Sequence, residues 1–124
     1  MNCCLELVTA AGRGNIEGVS RLLQNGLDPN CTSAGGITPL MATVGCLDLY
    51  EDRRRPSRKF DPEVDQLLRI ILEAGADVNF NSSEWPIEGY TALIFACMRY
   101  PLNISRLLDA GANVNLPSKD GLTP

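Results

Sequence analysis

Leu68-Arg69-Ile70-Ile71-Leu72-Glu73-Ala74-Gly75-Ala76-Asp77-Val78-Asn79 is the stretch that decides the fold, because the chain writes it three times. The first copy is Val19-Ser20-Arg21-Leu22-Leu23-Gln24-Asn25-Gly26-Leu27-Asp28-Pro29-Asn30. The third is Ile104-Ser105-Arg106-Leu107-Leu108-Asp109-Ala110-Gly111-Ala112-Asn113-Val114-Asn115. Each places apolar residues seven, four and three positions before a glycine, the spacing of one buried helix face. The glycine suits the left-handed position just past a helix end.

A second recurring element follows each glycine: Thr38-Pro39-Leu40, Thr91-Ala92-Leu93 and Thr123-Pro124. A threonine side chain can cap a helix by accepting a backbone N–H bond. Proline at the next position gives up no hydrogen bond, since that N–H lacks a helical partner anyway. Each threonine therefore opens a short helix, and each glycine closes a second one.

Taken together, Gly36-Ile37-Thr38-Pro39-Leu40, Gly75-Ala76-Asp77-Val78-Asn79, Gly89-Tyr90-Thr91-Ala92-Leu93, Gly111-Ala112-Asn113-Val114-Asn115 and Asp120-Gly121-Leu122-Thr123-Pro124 resemble the ankyrin repeat. The resemblance covers nearly the whole chain. It implies an all-α solenoid of helix-turn-helix units with projecting β-hairpin fingers, about three repeats plus the start of a fourth. One domain then fills 1–124: repeat one about 1–33, repeat two about 34–86, repeat three about 87–117, and the start of repeat four at 118–124. The chain departs from the family pattern in having no histidine. Met41 and Ile94 stand where the family places one, so that residue's local hydrogen bonds are expected to be missing. Tyr100-Pro101 replaces the usual Gly-His between helices, and proline still fits the first position of a helix.

Spacing locates the interruptions. Thr91 to Thr123 is 32 residues, against about 33 for a standard unit. Thr38 to Thr91 is 53, an excess of 21, of which 17 lie between the helices of repeat two and 4 in the hairpin that follows. The longer insertion, about 48–62, carries Arg53, Arg54, Arg55, Arg58 and Lys59 with Pro56 and Pro62, and reads as an exposed loop. The shorter one holds the only tryptophan, Trp85, beside Pro86 and Ile87. A large aromatic at a finger tip can anchor a partner or lie back over its neighbour. Thr123-Pro124 opens a further repeat, which leads us to expect a piece of a longer protein. The alternative is a native end whose uncapped last repeat seeks a partner, with self-association as one outcome.

Composition narrows the function. The apolar fraction of 44% and charged fraction of 21% are those of an ordinary globular domain. No apolar run approaches the roughly 18 residues of a membrane span, and the N-terminus lacks the features of a secretory signal. The expected location is the cytoplasm, or the nucleus. Five cysteines, an odd number without a CxxC pair, make a poor disulfide framework and a poor zinc site, so reduced thiols are expected. The net charge is −4, and setting aside the five positive charges of the loop leaves −9 on the remainder. An acidic body with one basic loop is not a general nucleic-acid binder.

Catalytic chemistry finds little support. Without histidine there is no Ser-His or Cys-His pair and no histidine metal ligand. No phosphate-cradling loop appears, and no cofactor is expected. Asp28 and Asp77 occupy equivalent positions after the glycines, where short polar side chains bond nearby backbone. The expectation is a non-catalytic protein–protein interaction module of a larger scaffold, adaptor or regulator. A substrate-selecting domain of an enzyme, or an anion-binding module acting through 53–59, are the alternatives.

The family resemblance implies that a partner meets the finger tips and the inner surfaces of the first helices. Carried over by position, that surface comprises Ile37 and Tyr90, with Trp85, Ile87, Lys119 and Asp120 on the fingers. The ends of the first helices add Arg13, Cys46, Met98 and Arg99. In the basic loop, Arg54-Arg55-Pro56-Ser57 resembles an arginine-directed kinase site, making Ser57 a candidate phosphate acceptor whose modification would reorder the loop.

Overall fold

Six α-helices account for the helical pairs among residues 3–33, 35–44, 62–83 and 88–115, which the computed structural model describes. They are α1 (Cys3–Gly12), α2 (Ile16–Gln24), α3 (Pro39–Thr43), α4 (Pro62–Glu73), α5 (Ala92–Arg99) and α6 (Ile104–Asp109), with a 3-10 turn, Pro101–Asn103, leading into α6. The starts follow from local chemistry. Thr38 Oγ1 accepts the Met41 N–H at 3.2 Å and Thr91 Oγ1 accepts the Ile94 N–H at 3.3 Å, so both threonines act as caps. Asn15 does the same for α2, accepting from Gly18 at 3.0 Å.

The stops are equally regular. After α2, the Leu27 N–H bonds the Leu22 carbonyl and Gly26 bonds Leu23; after α4, Ala76 bonds Ile71 and Gly75 bonds Leu72; after α6, Ala112 bonds Leu107 and Gly111 bonds Leu108. This pair of bonds is the Schellman closure, which needs a left-handed residue at its centre. Gly26, Gly75 and Gly111 supply it with φ of 93°, 103° and 93°.

Helices pack as two rows. α1 lies against α3 and α3 against α5, while α2 lies against α4 and α4 against α6; each pair is also joined across the rows. The middle helix of the first row is sandwiched and is accordingly apolar nearly all round: all five residues of α3 are buried. The second row buries one stripe, through Val19, then Val64, Leu67, Leu68 and Ile71, then Leu107. Both rows feed one core with Leu7, Val8, Leu40, Met41, Leu93 and Phe95. Met41 and Ile94, which stand in place of histidine, are both buried, Met41 within this core.

Two findings differ in detail from the expectations. Where fingers were expected, the described residues carry isolated bridges, Ser33 with Ile37 and Ser82 with Glu88, rather than strands. The cysteine reading is corrected outright. Cys4, in the first turn of α1, is disulfide-bonded to Cys31, with Cα atoms 5.9 Å apart across a sequence separation of 27. No short motif announces this pair; the helix pair brings its start beside its exit. Cys97 remains a free, half-buried thiol.

Candidate functional site

Between the helix pairs runs a ladder of asparagine clasps. Asn30 Nδ2 donates to the Gly75 carbonyl at 3.1 Å, and its Oδ1 accepts the Asp77 N–H at 2.6 Å. Asn79 repeats the pattern one step on, donating to the Gly111 carbonyl at 3.2 Å and accepting from the Asn113 N–H at 2.7 Å. The donor and acceptor of one amide thus hold the two backbone groups that flank the next helix ending. Asp28, Asp77 and Asn113 brace the clasp from within, each accepting the N–H two residues on at 2.8, 2.9 and 2.8 Å. The two aspartates are therefore turn formers, as their register suggests. The clasps themselves were missed by sequence reasoning, although asparagine recurs four residues after each glycine.

Beside this frame the described residues of the expected partner surface spread out along a line. Tyr90, half-buried, leads into α5 and lays its ring against Phe95 with centroids 5.2 Å apart. Met98, also half-buried, lies near the other end of α5, and Arg99 closes that helix. At about 1.5 Å per residue, the eight residues of α5 span about 12 Å. Arg13 is exposed beyond the end of α1 and borders a cavity of about 170 Å³, with Thr43, Glu63, Leu67 and Tyr100 also on its wall. Ile37 is a correction. It is only 6% exposed and belongs to the core, because the turn that bridges it to Ser33 folds its side chain inward. Cys46, Trp85, Ile87, Lys119, Asp120, the basic cluster Arg53, Arg54, Arg55, Arg58 and Lys59, and Ser57 lie outside the described residues.

On the outer side one ion pair ties the second row together. Arg106 of α6 donates from Nε and Nη2 to the two carboxylate oxygens of Asp65 on α4, at 3.0 and 2.8 Å. These bonds hold the Asp65 carboxyl below the usual carboxylate range, with burial acting in the opposite sense. A depressed folded value means that the contribution is present above the unfolded carboxylate range and is lost as pH falls through the folded value. Asp65→Asn is expected to lower stability at neutral pH and to leave a flatter loss on acidification. Urea denaturation of both proteins at neutral and acidic pH reads the difference; parallel pH dependences would contradict it.

Nothing in this geometry assembles a reaction centre among the described residues. No group of three histidine, cysteine, aspartate or glutamate side chains is placed to hold a metal ion there. Burial pushes the Cys97 thiol up, away from the reactive thiolate. No described helix is long and apolar enough to cross a membrane.

Comparison with known proteins gives a consistent picture. The family model described as Ankyrin repeat matches residues 88–119. The protein described as "SH3 and multiple ankyrin repeat domains protein 1" from Homo sapiens is 33% identical over 113 residues, which is 90% of this chain. Its Mus musculus and Rattus norvegicus counterparts match to the same extent. The chain spans about 4% of the length of these curated relatives.

Proposed function

The chain is an ankyrin-repeat protein, and from that premise we propose that it is a non-catalytic protein-interaction module working within a scaffold or adaptor. In this reading it contributes three repeats and the start of a fourth, in the cytoplasm or nucleus. Its partner is another protein, held along the line from Tyr90 to Met98 and Arg99 and extended by Arg13. The observation that carries the reading is the division of labour within the repeats. Threonine caps, Schellman glycines and asparagine clasps recur in register, whereas the residue before each capping threonine varies, Ile37 being buried and Tyr90 half-exposed. A constant frame with variable side chains along one edge is how a repeat stack displays specificity without altering its fold. Tyrosine and arginine are the residue types that dominate such contacts.

The test is quantitative capture from lysate, followed by reconstitution with the purified captured protein. Wild type is compared with Tyr90→Ala/Arg99→Glu, with Arg69→Glu on the exposed side of α4, and with a variant carrying serine at Arg53, Arg54 and Arg55. We expect the Tyr90/Arg99 variant to weaken binding of the reconstituted partner at least tenfold, while Arg69→Glu leaves it unchanged. Loss only with the serine variant would move the working site to the basic loop and refute the assigned line.

A further inference from the structure

We propose that Cys4 and Cys31 form a reversible thiol–disulfide site that controls the stiffness of the first helix pair. Three observations support it. The pair is already bonded, with a Cα separation of 5.9 Å, inside the range a disulfide accepts without backbone movement. Both cysteines are half-buried at the edge of the core, so small thiols can reach them while their neighbours stay packed. The bond encloses most of α1 and all of α2, a unit whose helix neighbours among the described residues are α3 and α4.

The placement gives the bond a specific consequence. Cys31 stands two residues before Ser33, which pairs with Ile37 across the turn at Gly35 and Gly36. That turn in turn accepts a bond from the next one, Ser82 Oγ to the Gly35 carbonyl at 3.5 Å. Closing Cys4 onto Cys31 fixes the strand of chain that enters the first finger. Opening it leaves α1 held by Leu7, Val8 and Ala11, which are buried independently of the bond. The fold therefore survives reduction, and the change is confined to the entry of the stack.

The chemistry balances with a low-molecular-weight disulfide, such as oxidised glutathione, as the oxidant. The Cys4 thiolate attacks first. Its sulfur bonds one sulfur of the oxidant, breaking that S–S bond and releasing one thiolate. The Cys31 thiolate then attacks the Cys4 sulfur and releases the second. Two protein thiols are oxidised by two electrons, one small disulfide is reduced to two thiols, and the two protons end on those thiols.

The experiment uses the full chain equilibrated across ratios of reduced to oxidised glutathione. Alkylation and peptide mass mapping measure the Cys4–Cys31 bond, and Tm and amide exchange are recorded on the two end forms. We expect the bond to change from mostly formed to mostly open within the accessible range of ratios. Reduction should lower Tm by on the order of 5–10 °C and speed exchange about tenfold or more in 31–37, leaving α5 and α6 unchanged. Cys4→Ser and Cys31→Ser should each abolish the redox dependence of Tm; the two forms of the wild type decide the matter if either variant fails to fold. A different pairing, a bond that never forms or never opens across the range, or end forms with equal Tm and exchange would each overturn the proposal. None of these readouts depends on partner binding.

Discussion

Phe95→Ala is expected to remove about 3–5 kcal/mol of folding stability, the largest loss from any single truncation among the described residues. Phe95 is 0% exposed and sits mid-way along α5, with Tyr90 stacked on one face. α5 is the last described helix of the first row and also binds α6 across the rows. A void there removes contacts from both rows at once, and short helices cannot collapse into it without leaving their neighbours. Typical domains have about 5–15 kcal/mol in total, so the variant should lie close to its unfolding transition at room temperature. Urea denaturation followed by circular dichroism measures this directly. Val114→Ala serves as the control, since Val114 is 50% exposed and its truncation should change stability by about 0.5 kcal/mol or less. Equal effects of the two substitutions would mean that α5 does not sit in the core as described.

The same residue bears on the proposed surface. Tyr90 is half-buried and its ring rests on Phe95. Phe95→Leu keeps most of the volume and loses the ring contact, so it separates packing from orientation. It should retain most of the stability and still weaken partner capture, if Tyr90 is held in place for binding.

The helices were legible in the sequence because every signal for them is local. A threonine cap acts over three residues, a Schellman glycine over five, and an apolar stripe over seven. Thr38, Thr91, Gly26, Gly75 and Gly111 consequently behave as their neighbours in sequence dictate. What escaped the sequence depends on contacts between units. Cys4 and Cys31 meet only after α1 and α2 have folded back on one another. Arg106 finds Asp65 across 41 residues, and their pairing needs α4 and α6 already side by side. Ile37 shows the same limit at the candidate surface. Its position beside Thr38 equals that of Tyr90 beside Thr91, yet Ile37 is buried and Tyr90 half-exposed. Side-chain size and polarity decide which of two equivalent positions turns inward, and position within a repeat does not reveal it.

The clasps make the most direct claim about how these units communicate. Asn79→Ala removes both bonds to the segment around Gly111, and Asn30→Ala removes both bonds to the segment around Gly75. At about 0.5–1.5 kcal/mol net per bond, each variant should lose about 1–3 kcal/mol, and the double variant about 2–6 kcal/mol. Because both clasps are solvent-accessible, water replaces part of what is lost and the lower half of each range is favoured. The location of the damage matters more than its size. In a stack whose stability is a sum of unit and interface terms, weakening one interface uncouples the units on either side of it. Amide exchange should therefore rise first in 104–115 for Asn79→Ala and in the first helix pair for Asn30→Ala. The double variant should replace a single urea transition with a broadened or stepped one. If exchange rose uniformly and the transition stayed sharp in all three proteins, the asparagines would be ordinary surface hydrogen bonders. The burial of Val19, Leu68, Ile71 and Leu107 would then carry the coupling between units alone.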